Sequence, residues 1–298
     1  MSAVVTSHRE DQRRAHRRRR VRQQVSLALN VFFLVVLAFI VLIPVLWMVQ
    51  MSFRSAAVQF EMPPDWTHGW TLKNYGDVVR TKFQRNLLNS LIVASLTTVF
   101  SLGFGVPAAY ALSRYRFRHD MAISFWVLAT RMAIPIAFAL PLFVLFMTIG
   151  QWTGIPLVNT YHGLTLVYLT FSIPTVVWIL RPFFDTIPRD LEESAYVDGA
   201  NLWQTFTRIV LPLAAPGLAA VAILSFVNAW LEFFYALIFT RGPMMTAPVA
   251  IVNFLNYAGW EWGKITAGGT VIMLPVIFFS FLTNKYLISG LTAGAVKS

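Results

Sequence analysis

Residues 31–49 read VFFLVVLAFIVLIPVLWMV, without a charge. That is about the ~20 apolar residues a helix needs to cross the hydrocarbon of a bilayer. Five more apolar runs follow, at 87–112, 121–149, 161–183, 213–240 and 265–288. Six such runs imply an all-α polytopic membrane protein with six transmembrane helices. Composition agrees: 12% of residues are charged, where a soluble domain carries about 25%. Pro44 and Trp47 close the first run with no small-residue cleavage site, so it reads as a retained helix at 25–50 rather than a secretory signal.

The net charge of +11 suggests nucleic acid until its distribution is read. Eight of the 24 basic residues precede residue 23. A basic flank of this kind stays on the cytoplasmic side, so no nucleic-acid partner is expected. With no Cys there is no disulfide or thiolate metal site. His8, His16, His68, His119 and His162 are scattered, with no two at metal-ligand spacing, so no metal is expected.

Six spans put both termini on one side. With termini inside, 16 basic residues fall on the inner side and 7 outside, Arg131 being the remaining one. Both termini are therefore expected to be cytoplasmic. The outer loop at 51–85 carries Pro63, Pro64, Trp66 and Trp70, with a short helix expected near 72–80 capped by Thr71. Gly103, Gly105, Ala108 and Ala109 offer a small-residue face on the second span. Arg114, Arg116 and Arg118 mark an inner turn.

The segment 185–216, DTIPRDLEESAYVDGANLWQTFTRIVLPLAAP, breaks the apolar pattern and holds five of the thirteen acidic residues. Pro188 can open a helix, and Asp190, Glu192 and Glu193 suit its first turns. Gly199 permits a left-handed turn. A second helix is expected at 201–210, with Leu202, Trp203, Phe206, Ile209 and Val210 on one face, before Pro212 starts the fifth span. The residues alone fit either a rigid knob between two membrane helices or an interfacial helix on the lipid surface.

This segment resembles the EAA loop of permease subunits in binding-protein-dependent ABC importers. The family pattern is E-A-A, three residues, G, nine residues, then I-x-L-P. Glu193, Ser194 and Ala195 stand for E-A-A, with serine for the first alanine, followed by Gly199, Ile209, Leu211 and Pro212. Arg131 before a proline-rich stretch, the WLEF run at 230–233 and the closing GLTAGAVK at 290–297 resemble the maltose-type sugar permeases. That subfamily more often has asparagine where Leu231 stands.

The resemblance implies an ABC importer type I permease core in a bacterial inner membrane, moving a sugar or sugar-like solute. The domain order is then a basic cytoplasmic tail (1–24), the permease domain (25–288) with its coupling loop at 185–212, and a cytoplasmic tail (289–298). It implies a second, related permease subunit, two ABC ATPase subunits that hold ATP and Mg, an extracytoplasmic solute-binding protein, and no cofactor on this chain. Coupling to the ATPase would fall to Glu193, Ser194, Ala195, Asp198, Gly199, Ala200, Leu202, Phe206, Ile209, Leu211 and Pro212, with the apolar side of 193–206 in a cleft of the ATPase.

Arg131 and Glu232 are the charges set deep within spans. A charge at mid-bilayer costs ~2.5–3.5 kcal/mol on insertion scales, so it faces the bundle interior or a partner. Two roles stay open: an ion pair or subunit contact, or lining of the translocation path with Asn228 and Trp230, near Tyr235. GWEWGK at 259–264 lacks the fourth spacer residue and the Ser/Thr of a phosphate loop, so no ATP hydrolysis is expected here. The loops at 241–264 and 51–85 read as a landing surface for the binding protein. Paired carboxylates or a Ser/His pair, as a membrane enzyme needs, are missing. A proton-coupled secondary transporter is the alternative, though it calls for several intramembrane acids, often in repeated halves.

Overall fold

The computed structural model describes the backbone of residues 2–61, 67–115, 117–118, 120–132, 135–256 and 259–295, with side chains except at 2–22, 120, 121, 124, 128, 131, 132, 256, 259 and 283–295. Trp66, Arg116, the Arg131 side chain and the side chains of 290–297 lie outside the described residues. Residues 1–51 and 52–298 form two compact units.

The first unit is a single helix, α1 (Ser2–Ser52). The basic stretch to residue 24 makes up its first half. No Pro or Gly occurs before Pro44, and Arg and Gln are good helix formers, so nothing stops the apolar helix from extending backwards.

The second unit begins with α2 (Lys73–Arg80), close to the short helix expected at 72–80. Thr71 Oγ1 accepts from Lys73 N–H at 3.0 Å, capping it from one residue further out than a cap usually sits. Then come α3 (Phe83–Arg114), α4 (Asp120–Met132), α5 (Pro135–Thr153) and α6 (Tyr161–Thr186). The run expected as one helix at 121–149 is thus two. Proline disfavours helical backbone in the residue before it, and Pro135 opens α5 as its first residue. The 13 residues of α4 rise only ~20 Å, too short to cross alone, and α4 packs on α6.

After α7 (Arg189–Val197), one unbroken helix runs from Leu202 to Leu231. It comprises α8 (Leu202–Thr205), a π turn (Phe206–Val210) and α9 (Leu211–Leu231). The helix expected at 201–210 is therefore not separate from the fifth span. Pro212 has no N–H, and its ring crowds the preceding turn. The chain absorbs this by widening: Leu211 N–H bonds back five residues to Phe206 O. The fifth span also ends earlier than the expected Thr240. It breaks at Glu232, and α10 (Phe234–Phe239) follows. A short α11 (Ala247–Ala250), a hairpin of β1 (Leu255–Asn256) and β2 (Gly259–Trp260), and α12 (Trp262–Ala295) complete the chain.

Among the described residues six helices are long and apolar enough to cross a membrane: 23–52, 83–114, 135–153, 161–186, 202–231 and 262–282. In the second unit α3, α6 and α9 pack on one another, with α12 against α9. A Cβ on Gly105 would stand 2.6 Å from Val176 Cγ1, so only glycine lets α3 and α6 approach this closely. Gly105 and Ala109 are buried in that contact, whereas Gly103 faces open space.

The buried side chains fall into two clusters along α3. One gathers Val93, Leu164, Tyr168, Trp230 and Phe239; the other gathers Tyr110, Val176, Phe184, Phe206 and Val210. At the first end Asn89, 1% exposed, donates to Pro243 O at 2.8 Å and Met245 O at 2.9 Å, and accepts from Tyr161 Oη at 2.7 Å. Asn86 and Ser90 bond the same loop, at Met245 O and Ala247 N–H. At the other end lies the acidic segment.

Candidate functional site

The loop between α6 and α9 is built from a terminator and a starter placed back to back. Gly199 ends α7 in left-handed backbone, φ +86°. Its N–H donates to Tyr196 O at 3.1 Å, and Ala200 N–H donates to Ala195 O at 2.9 Å. This pair of bonds is the Schellman ending, which satisfies the last carbonyls of a helix and favours glycine at the left-handed residue. Two residues later Asn201 Oδ1 accepts from Gln204 N–H at 2.8 Å, and Gln204 Oε1 accepts from Asn201 N–H at 2.9 Å. That reciprocal capping box starts the next helix. The turn therefore carries its own hydrogen bonds and needs no partner to hold its shape.

The residues singled out from the sequence divide between two sides of this loop. Ala195 and Phe206 are buried, as is Val210. Phe206 packs against the Tyr110 ring at 4.8 Å between centroids. The apolar residues expected on one face of 201–210 therefore divide: Phe206 and Val210 turn into the body, while Leu202 and Trp203 stay outside. Val197 is 87% exposed, Trp203 68% and Leu202 48%; Leu191 and Tyr196 are exposed as well. Glu193, Ser194, Asp198, Gly199 and Pro212 are exposed, and Ala200, Ile209 and Leu211 are half-buried. An apolar groove of about 460 Å³ beside Trp203 is walled by Pro107, Ala111, Tyr115 and Leu202.

Glu192, the acid next to the motif glutamate, is buried. Its Oε1 accepts from Arg114 Nε at 2.5 Å and its Oε2 from Tyr110 Oη at 2.6 Å. Arg114 Nη2 also donates to Ile187 O at 3.1 Å, Ser113 Oγ donates to Asp185 Oδ1 at 2.6 Å, and Arg189 Nη2 donates to Ser113 O at 3.2 Å. The sequence places Glu192 in the first turns of a helix, and that placement by itself gives no hint of this cluster. The signal available was the pair of adjacent acids: on a helix, neighbours lie about 100° apart, so both cannot face solvent equally.

The intramembrane candidates take other positions. Glu232 sits at the break between α9 and α10. Its Oε1 accepts from Tyr235 N–H at 2.9 Å and its Oε2 from Ala236 N–H at 3.1 Å. The carboxylate thus satisfies amides that the start of α10 leaves unpaired. Trp230 is buried, stacks on Phe226 at 5.9 Å between centroids, and donates Nε1–H to Ile272 O at 3.0 Å. Its ring is committed to the α9–α12 contact. Asn228 is exposed. Tyr235 stacks on Phe171 at 5.8 Å.

Residues 101–292 match the family of binding-protein-dependent transport system inner membrane components. The chain is 37% identical over 268 residues to the trehalose/maltose transport system permease protein MalG of Thermococcus litoralis, covering 88% of this chain and 94% of that protein. It is 37% identical over 262 residues to the trehalose transport system permease protein SugB of Mycobacterium tuberculosis, covering 86% and 92%. A chain of a bacterial ABC transporter involved in the import of the acidic polysaccharide alginate shares the fold, with a TM-score of 0.71 at 23% identity over 88% of this chain and 96% of that one. This chain belongs to the inner membrane permease components of binding-protein-dependent transport systems.

Proposed function

We propose that this chain is one permease half of an ATP-driven importer for a sugar or sugar-like solute, with residues 185–212 as its contact to an ABC ATPase. It pairs with a second, related permease. Two ATPase subunits bind ATP and Mg below the pair, and an external solute-binding protein delivers the solute. This chain contributes the path and the coupling and no chemistry of its own. The tails at 1–24 and 289–298 and the loop face the cytoplasm, in keeping with the excess of basic residues on that side.

One observation carries the coupling role. Val197, Leu202 and Trp203 stand exposed on a turn that is internally hydrogen-bonded and fixed to the body from beneath. A rigid apolar knob outside the membrane is the shape that can pass a partner's movement into a helix bundle. The sugar assignment is supported by the trehalose and maltose systems of the relatives. The proton-coupled alternative is not favoured by these relatives.

The complex reconstituted in vesicles tests the reading. Uptake should need ATP hydrolysis and stop when the ATPase is disabled; uptake that persists refutes it. Deletion of 190–210 should release the ATPase, and an ATPase that stays bound removes the coupling role from this loop.

A further inference from the structure

We propose that Glu192 is a positioning residue that joins the coupling loop to α3, so that the loop and the inner end of α3 move as one body. The inference rests on the coupling role given to 185–212 and adds how movement leaves the loop.

The contact is buried and fully subscribed. The side chains of Arg114 and Glu192 are 9% and 7% exposed. Both carboxylate oxygens are used, one by Arg114 Nε and one by Tyr110 Oη. Tyr110, Ser113 and Arg114 occupy the last turn of α3 at spacings of three and four, one face of a helix. They reach three parts of the loop in succession: Asp185 at the end of α6, Ile187 in the turn, and Arg189 and Glu192 in α7. A buried charge that loses its partner is left uncompensated, so this contact does not give way gradually.

The apolar packing below it separates joining from folding. The Tyr110 ring already packs edge-on against Phe184 and tilted against Phe206, at 5.7 and 4.8 Å between centroids, and this burial holds the loop in place. An ion pair inside a protein is commonly no stronger than well-packed apolar residues of the same volume. What it adds here is direction, because the Arg114 fork and the Tyr110 hydroxyl fix where the carboxylate sits. The two adjacent acids then divide the work: exposed Glu193 faces the partner and buried Glu192 faces the bundle.

Hydrogen exchange of the assembled complex, nucleotide-free and trapped with ATP and vanadate, tests this without knowing the solute. In the wild type, trapping should change exchange in the loop and in residues 105–114 together. In Glu192→Gln the loop should still respond while the response at 105–114 falls by roughly 5- to 150-fold, the range of an ordinary coupling between sites. Tyr110→Phe should give a smaller loss of the same kind. The exchange of charges, Glu192→Arg with Arg114→Glu, should restore part of the response. If Glu192→Gln fails to assemble, Tyr110→Phe carries the test. An α3 that does not respond in the wild type, or responds equally in Glu192→Gln and Tyr110→Phe, overturns the proposal. A loop that gains no protection from the ATPase at all instead refutes the coupling role on which it rests.

Discussion

Gly199 separates two reasons for a glycine. A side chain there would meet nothing, since no atom lies within 4 Å of an added Cβ. The backbone is left-handed, φ +86°, where an L-residue pays roughly 1–2 kcal/mol. Gly199→Ala should therefore bias the turn away from its Schellman geometry by that amount, a population change of about 5- to 30-fold. Since Val197, Leu202 and Trp203 flank the turn, the affinity for the ATPase should weaken by a similar factor. Asparagine visits left-handed backbone far more readily than alanine or valine. The order of affinity should be Gly, then Asn, then Ala, with Val last, although Asn is larger than Ala. Titration of purified ATPase against the variants in nanodiscs reads this directly. An order that follows side-chain volume, with Asn worse than Ala, would refute the handedness argument and assign the glycine to clearance against the partner.

Three further outcomes follow from the same geometry. Val197→Asp and Trp203→Asp, at 87% and 68% exposure, should leave thermal stability within about 0.5 kcal/mol while costing ~2 kcal/mol or more of ATPase binding; equal co-purification with the wild type contradicts this. Asn89→Ala takes one donor each from Pro243 O and Met245 O, the latter still held by Asn86, and leaves the Tyr161 hydroxyl without its acceptor. At about 1–3 kcal/mol for a buried polar group left unpaired, it should lower the melting temperature in detergent, and an unchanged melting curve counts against the pinned loop. Glu232→Gln keeps one acceptor for two amides and should cost about 1 kcal/mol, as a lost cap does, with uptake falling only in step with stability. Uptake lost at full stability would return Glu232 to the translocation path.

The spans were readable because crossing a membrane is a demand on composition: about twenty apolar residues suffice as a signal. Gly199 and the Asn201–Gln204 pair were readable for a related reason, since their hydrogen bonds close within a few residues of sequence. Glu192 was not. Its partners on α3 are 78 and 82 positions away, and no local pattern distinguishes it from Glu193. Phe206 and Trp203 likewise share one expected helix face, and it takes the folded bundle to show Phe206 turned in against Tyr110 and Trp203 turned out. The break at Glu232 escaped because WLEF is apolar enough to continue a helix. The carboxylate's capture of two amides depends on backbone that has already turned.

The π turn at Phe206–Val210 sets a phase. An α-helix advances ~100° per residue, so in an uninterrupted helix Trp203 would lie about 40° from Gly217, on the side that faces Phe183. The extra residue in the wide turn offsets the two by about another 100°, and Trp203 comes out on the opposite side. The outward knob and the inward span are thus written on one continuous rod at different angular settings. Their relation is set by residue count rather than residue type. Removing Thr207 or Arg208 alone would keep every apolar side chain of the segment and yet turn the knob toward the bundle. In this segment length is under tighter constraint than composition.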